Sequence, residues 1–176
     1  TGLLIVCVGK ATKKVANFQE MAKEYEATFK LGATTPSFDL ETEIDAEYST
    51  EGITREQVES ALSSFVGEQM QIPPLFSAKS VDGGRAYKLA RRGVDMQLNP
   101  SPVVFYSMDL VEFNLPLITV KVKCSKGTYV RALARDIGQK LNTGAHLVKL
   151  IRTSIGELKL EDAYTVEEFE KKISLL

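Results

Sequence analysis

The chain has 176 residues, a formal net charge of −1 and 44% hydrophobic residues, enough for one domain with a real core. No apolar run approaches the ~18 residues a membrane span needs, and Thr1 to Val8 lacks the basic leader of a signal peptide. A single His and no Cys-x-x-Cys argue against a protein-built zinc site. Cys7 and Cys124 each lie in an apolar, strand-like run and read as buried free thiols in a reducing cytoplasm.

In chain order, Gly2 to Val8 is apolar throughout and partly β-branched, which predicts a fully buried strand. Lys10 to Lys14 turns the chain, and Val15, Phe18 and Ala22 mark one face of a short helix. Tyr25, Ala27, Phe29 and Leu31 alternate with Glu26, Thr28 and Lys30, so a strand follows. Thr34-Thr35-Pro36 closes it, and Ser37 to Thr50 reads as an acidic loop or edge strand. Thr54 and Gln57 form a capping-box pattern before the apolar stripe Val58, Ala61, Leu62 and Phe65, with Gly67 as the expected stop. Val103 to Phe113 and Leu117 to Cys124 read as paired strands with a turn at Asn114-Leu115-Pro116. Ala145 to Thr153 mixes apolar and basic residues, and Thr165 and Glu168 cap a final helix. These elements predict an α+β fold: a mixed, mostly antiparallel central sheet with flanking helices.

Charge is unevenly distributed. From Asp39 to Glu68 there are nine acids against Arg55 alone. From Gln71 to Leu98 the bases Lys79, Arg85, Lys88, Arg91 and Arg92 outnumber Asp82 and Asp95. A chain polarised in this way can present a basic face to a polyanion at near-zero total charge. Ordinary solvated charge is the alternative. The basic stretch starts at the rigid Ile72-Pro73-Pro74, turns at Asp82-Gly83-Gly84 and ends at Gly93, which suits a loop that tracks a nucleic-acid backbone.

The stretch Cys124-Ser125-Lys126-Gly127-Thr128-Tyr129-Val130-Arg131 joins a strand to a helix. Val130, Leu133, Ala134, Ile137 and Leu141 carry the helical period after it, and Gly127 sits at the join. Lys126, Tyr129 and Arg131 are therefore presented at a corner. Arg131 and Arg135 stand at i and i+4, where like charges repel unless an anion lies nearby.

Lys126-Gly127-Thr128-Tyr129-Val130-Arg131 resembles the K-G-T-Y-[IV]-R motif of the TruB-type tRNA pseudouridine synthases. Three further stretches are similar to the same family, in the same order: Tyr25 with Leu31-Gly32-Ala33-Thr34-Thr35, then Pro73-Pro74-Leu75-Phe76-Ser77-Ala78, then Gly144-Ala145-His146-Leu147 through Leu150-Ile151-Arg152. Together they span nearly the whole chain. The opening Thr1-Gly2-Leu3-Leu4 looks like the tail of the family's G-T-L-D-P-x-A-T-G motif. The resemblance thus implies a nucleophilic aspartate upstream of Thr1, and the 176 residues alone are expected to be inactive. It also implies one catalytic domain over residues 1–176, truncated at its N-terminus, with an RNA-binding insertion at about 71–100 and no room for a small C-terminal RNA-binding domain.

The implied reaction is isomerisation of uridine 55 in the T-loop of tRNA. The C1′–N1 bond is cut and the base rejoined through C5, with neither cofactor nor metal. The target base must leave its stack, and an aromatic face holds it. Carried over from the family, Tyr25 stacks on the flipped uracil, and Arg131 pairs with the absent aspartate and keeps it ionised. Tyr129 lines the pocket and is the candidate to handle the C5 proton. Leu150 forms the apolar wall, and Lys126 contacts a phosphate or the pocket rim. Lys149 and Arg152 join Lys79, Arg85, Lys88, Arg91 and Arg92 as RNA-binding groups. Tyr25, Tyr129 and Arg131 are expected to converge on one cleft near Thr1. His146 reads as a residue that holds a turn by hydrogen bonds. The expected partner is the T-arm stem-loop of tRNA, with the protein a cytoplasmic monomer. Two alternatives stand beside this: a non-catalytic module that binds RNA and helps tRNA fold, and a subunit of a guide-RNA pseudouridylation complex.

Overall fold

The computed structural model describes residues 1–77, 80–81, 84–85 and 98–174. A six-stranded sheet organises them. Its strands are β1 (Lys23–Leu31), β4 (Gly67–Gln71), β7 (Ser101–Asn114), β8 (Leu117–Cys124), β9 (Ala145–Ile155) and β10 (Leu158–Lys159), in the order β10-β9-β1-β8-β7-β4. Every strand pair in it is antiparallel. Two small hairpins stand apart: β2 (Ala33–Thr34) with β3 (Ala46–Glu47), and β5 (Ser80–Val81) with β6 (Gly84–Arg85). The helices are α1 (Val15–Glu20), α2 (Arg55–Ser63), α3 (Val130–Lys140) and α4 (Val166–Ile173). None of the described helices is long and apolar enough to cross a membrane.

The period-two reading of β1 and β8 decides the core. Ala27 faces Val120 and Phe29 faces Ile118 across the ladder, and all four are fully buried. That sheet face receives Leu133, Ala134 and Ile137 of α3 and Val58 and Leu62 of α2. Burying each large aliphatic or aromatic side chain contributes about 1.5–3 kcal/mol. The opposite face carries the polar alternates: Thr28 and Thr119 share a 3.2 Å hydroxyl contact, and Glu24 pairs with Lys121 at 3.3 Å. Both capping boxes form, at Thr54 with Gln57 and at Thr165 with Glu168.

Two expectations are corrected. Gly2 to Val8 is not a strand. Gly2 makes a single parallel bridge to Arg152, Leu3 is buried, and Leu4, Val6 and Val8 are 72–78% exposed. β10 occupies the edge of β9 just beyond that bridge, at Ile155, so the segment has no ladder to extend. The bridge itself depends on glycine, because a Cβ on Gly2 would lie 2.4 Å from the Arg152 nitrogen. Gly67 likewise does not end α2, which stops at Ser63 with Ser64 as its cap. Gly67 instead opens β4, a strand the composition of this region concealed.

Cys124 ends β8 on the core face, and burial pushes its thiol from 9.0 up to about 11. Between those values the unfolded chain has lost the proton and the native chain keeps it. Stability contributed by the buried neutral thiol is therefore lost as pH rises through that window, at up to about 1.4 kcal/mol per pH unit. Melting curves recorded from pH 8 to 11 are expected to fall more steeply for the wild type than for Cys124→Ala. Parallel curves would mean that the thiol ionises alike in both states.

Candidate active site

The corner after β8 is built by local hydrogen bonds. Ser125 donates its N–H to the Val104 carbonyl at 2.8 Å, and Val104 donates back to Ser125 Oγ at 2.9 Å. The Thr128 hydroxyl bonds the Ser125 carbonyl at 2.9 Å. Gly127 turns between them with φ +78°, the left-handed region that glycine adopts freely. Tyr129 then takes the N-cap position of α3, where no side chain of its own caps the helix. Its main chain is held from outside: Tyr129 N–H donates to Gln71 Oε1 at 2.9 Å, and Gln71 Nε2 donates to the Tyr129 carbonyl at 3.1 Å.

Arg131, on the first turn of α3, is about four-fifths buried. Its Nη1 donates to Asp39 Oδ2 at 3.1 Å and its Nη2 to the Phe76 carbonyl at 2.9 Å. The anion that the Arg131–Arg135 spacing calls for is therefore present, and it is Asp39. Composition groups Asp39 with the other acids from Asp39 to Glu68, and the structure singles it out. The loop after β2 delivers it. The Thr35 hydroxyl bonds the Asp39 carbonyl at 2.7 Å, and Glu41 N–H bonds Asp39 Oδ1 at 2.9 Å. Phe38 sits in the left-handed region with φ +62°, a conformation that costs a bulky residue about 1 kcal/mol or more. The available signal was its place in the chain, four residues beyond the Leu31-Gly32-Ala33-Thr34-Thr35 stretch. Arg135 is served differently, by Asp136 at 2.7 Å, by the Ile72 carbonyl and by the Phe38 ring. Burial raises the Asp136 carboxyl above its ordinary pKa, and Arg135 offsets part of that.

Tyr25 shares the sheet face against which α3 packs, so it and Arg131 lie on the same side. Arg131 is nevertheless not among the residues that line the cleft onto which Tyr25 opens. Tyr25 opens onto a cleft of about 380 Å³ with Lys23, Ser125, Lys126, Thr128 and Arg152. Burial pushes its phenol up and Arg152 pulls it partly back, so it stays neutral at physiological pH. Leu150 faces Ala27 across the ladder and borders a second space with Asp39 and Leu40. Lys126 is exposed and pairs with Glu20 at 2.6 Å.

Among the RNA-binding candidates, Arg152 is bound inward. Its Nε donates to the Leu3 carbonyl at 2.7 Å, beside Tyr25. Lys149 is exposed and shares a groove with Glu26 and Glu112 on the polar face of the sheet. Lys79, Lys88, Arg91 and Arg92 lie outside the described residues, and of Arg85 only the backbone, in β6, is described. His146 is buried with Nδ1 at 2.9 Å from the Ala33 carbonyl, tying β9 to β2, the strand just before the loop that carries Asp39.

Comparison with known proteins places this arrangement among similar chains. Residues 1–130 match the family model described as TruB family pseudouridylate synthase (N terminal domain), and residues 131–175 match the tRNA pseudouridylate synthase B C-terminal domain. The two matches meet inside the first turn of α3, while the sheet runs across both. The chain is 60% identical over 169 residues to tRNA pseudouridine synthase B of Phocaeicola vulgatus, covering 96% of this chain and 72% of that protein. It is 58% identical to the protein of the same name from Bacteroides fragilis over 98% of this chain and 74% of that one. Among solved structures, a Cbf5-Nop10-Gar1 complex superposes with a TM-score of 0.66 at 24% identity, over 98% of this chain and 44% of that chain. An H/ACA RNP bound to a substrate RNA containing 2'-deoxyuridine gives 0.63 at 21%, over 95% and 41%. At those identities the likeness is one of fold.

Proposed function

Because this chain belongs to the TruB family of pseudouridylate synthases, we propose that it supplies most of the catalytic domain of an enzyme converting uridine 55 of the tRNA T-loop to pseudouridine. The observation that carries the reading is the Tyr129–Arg131 corner, which puts a half-buried tyrosine at the N-cap of α3 and a carboxylate-bound guanidinium two residues on, both on the family's own motif. The uracil leaves its stack and rests against the Tyr25 ring. Arg131 keeps donors beyond those given to Asp39 and Phe76, and these are the groups to receive the nucleophilic aspartate of the family's motif. Asp39 sets the plane of the guanidinium so that the second carboxylate meets a fixed fork. Tyr129 lines the pocket and handles the C5 proton, and Leu150 keeps water from the freed base. We assign the protein to the cytoplasm, as a monomer that needs no cofactor or metal. The identities of 58–60% to single-chain synthases favour this over a guide-RNA complex, whose members resemble the chain only at the level of fold.

The test is pseudouridine formation in a T-arm stem-loop by the full-length protein, with affinity measured across salt concentrations. Arg91→Ala with Arg92→Ala is expected to weaken binding and to lower the salt slope by about 2, one for each phosphate no longer neutralised. An unchanged affinity and slope would remove the 71–100 stretch from the RNA site. Binding without any isomerisation by the full-length protein would favour the non-catalytic reading.

A further inference from the structure

We infer that Gln71 is a positioning residue that sets the pose of Tyr129; the inference rests on the pocket role proposed for Tyr129. Gln71 is the last residue of β4 and is 4% exposed. A buried primary amide must find partners for both its N–H₂ and its oxygen or lose stability. Gln71 directs both groups at one residue, Tyr129, bonding its N–H and its carbonyl. The helix secures only the second of these groups, through Leu133 N–H at 3.2 Å. Among the described residues, Gln71 is therefore the one acceptor for the Tyr129 N–H, at a helix start without a side-chain cap.

The clamp belongs to a wider seam. Arg135 bonds the Ile72 carbonyl at 3.1 Å and Arg131 bonds the Phe76 carbonyl at 2.9 Å. Residues 71, 72 and 76 are thus stitched to the first two turns of α3 across the rigid Pro73-Pro74 pair. Within that seam Arg131 and Arg135 hold side chain to backbone. Gln71 alone holds the backbone from which the Tyr129 ring projects. Losing the clamp frees the peptide preceding α3, and a small rotation there swings the whole ring.

The test uses the full-length protein with Gln71→Leu, of similar size without hydrogen bonds, and Gln71→Glu. For Gln71→Leu, kcat on a T-arm stem-loop is expected to fall about ten- to a hundredfold, with Kd for the RNA within about twofold of wild type. Gln71→Glu provides a readout that packing alone does not move. A neutral carboxyl donates to the Tyr129 carbonyl and accepts from its N–H as the amide does, whereas a carboxylate only accepts. Burial raises the pKa of such a carboxyl. The kcat ratio of Gln71→Glu to wild type is therefore expected to climb as pH falls. A flat ratio, a loss confined to KM or Kd, or a kcat loss matched by the unfolded fraction would overturn the inference. If wild type is active and both variants equal it, the inference alone fails. If wild type forms no pseudouridine, the proposed function fails and the inference fails with it.

Discussion

Replacing Arg131 with Lys is expected to abolish most turnover while leaving RNA affinity close to wild type. The guanidinium reaches Asp39 Oδ2 with one arm and the Phe76 carbonyl with the other, at 3.1 and 2.9 Å. An ammonium is a single point without that fork and cannot serve both and still receive a further carboxylate. The variant gives up electrostatic stabilisation of charge at the reacting sugar, for which removal of one oriented donor costs about two to three orders of magnitude in rate. Single-turnover pseudouridine formation, alongside direct RNA binding, separates the two effects. Asp39→Asn is expected to act in the same direction, because it removes the charge that orients the guanidinium. The double variant is expected to be little worse than Arg131→Lys alone, since paired groups are not additive. A rate within about threefold of wild type for Arg131→Lys would place it outside the electrostatic machinery.

The second large effect concerns the nucleophile. The 176 residues by themselves are expected to bind a T-arm stem-loop and leave its uridine unchanged, whereas a protein with the aspartate-bearing motif ahead of Thr1 is expected to turn it over. In that longer protein, Asp→Asn at the motif is expected to retain binding and lose isomerisation. Glycosidic cleavage needs a carboxylate that attacks the sugar or stabilises its charge. The carboxylates near the corner are already committed: Asp39 accepts from both Arg131 and Glu41 N–H, and Asp136 accepts from Arg135. Turnover by the 176 residues would transfer the nucleophilic role to Asp39, the acid that touches Arg131. It would also make the Arg131–Asp39 pair the reaction centre.

The amino-acid order by itself determined the elements whose cause is local. β1 and β8 follow from strict alternation, because side chains of a strand point to opposite faces in turn. Both capping boxes follow from residues three positions apart, and the corner at Gly127 from a backbone conformation that glycine tolerates. The places of Tyr25 on β1 and of Tyr129 and Arg131 at the start of α3 follow from the same local signals, whereas their roles come from the family resemblance. The tertiary structure decided what meets across long stretches of chain. Asp39 reaches Arg131 only because the loop after β2 turns through a left-handed Phe38, whose carbonyl accepts from the Leu147 N–H of β9 at 2.9 Å. Gln71 reaches Tyr129 only because β4 pairs at the far edge of the sheet and ends beside α3. Gly2 to Val8 has the composition of a buried strand yet is mostly exposed, because burial depends on a free partner edge and not on hydrophobicity alone. Periodicity records which way a side chain faces, whereas the path of the intervening loops decides what it finds there.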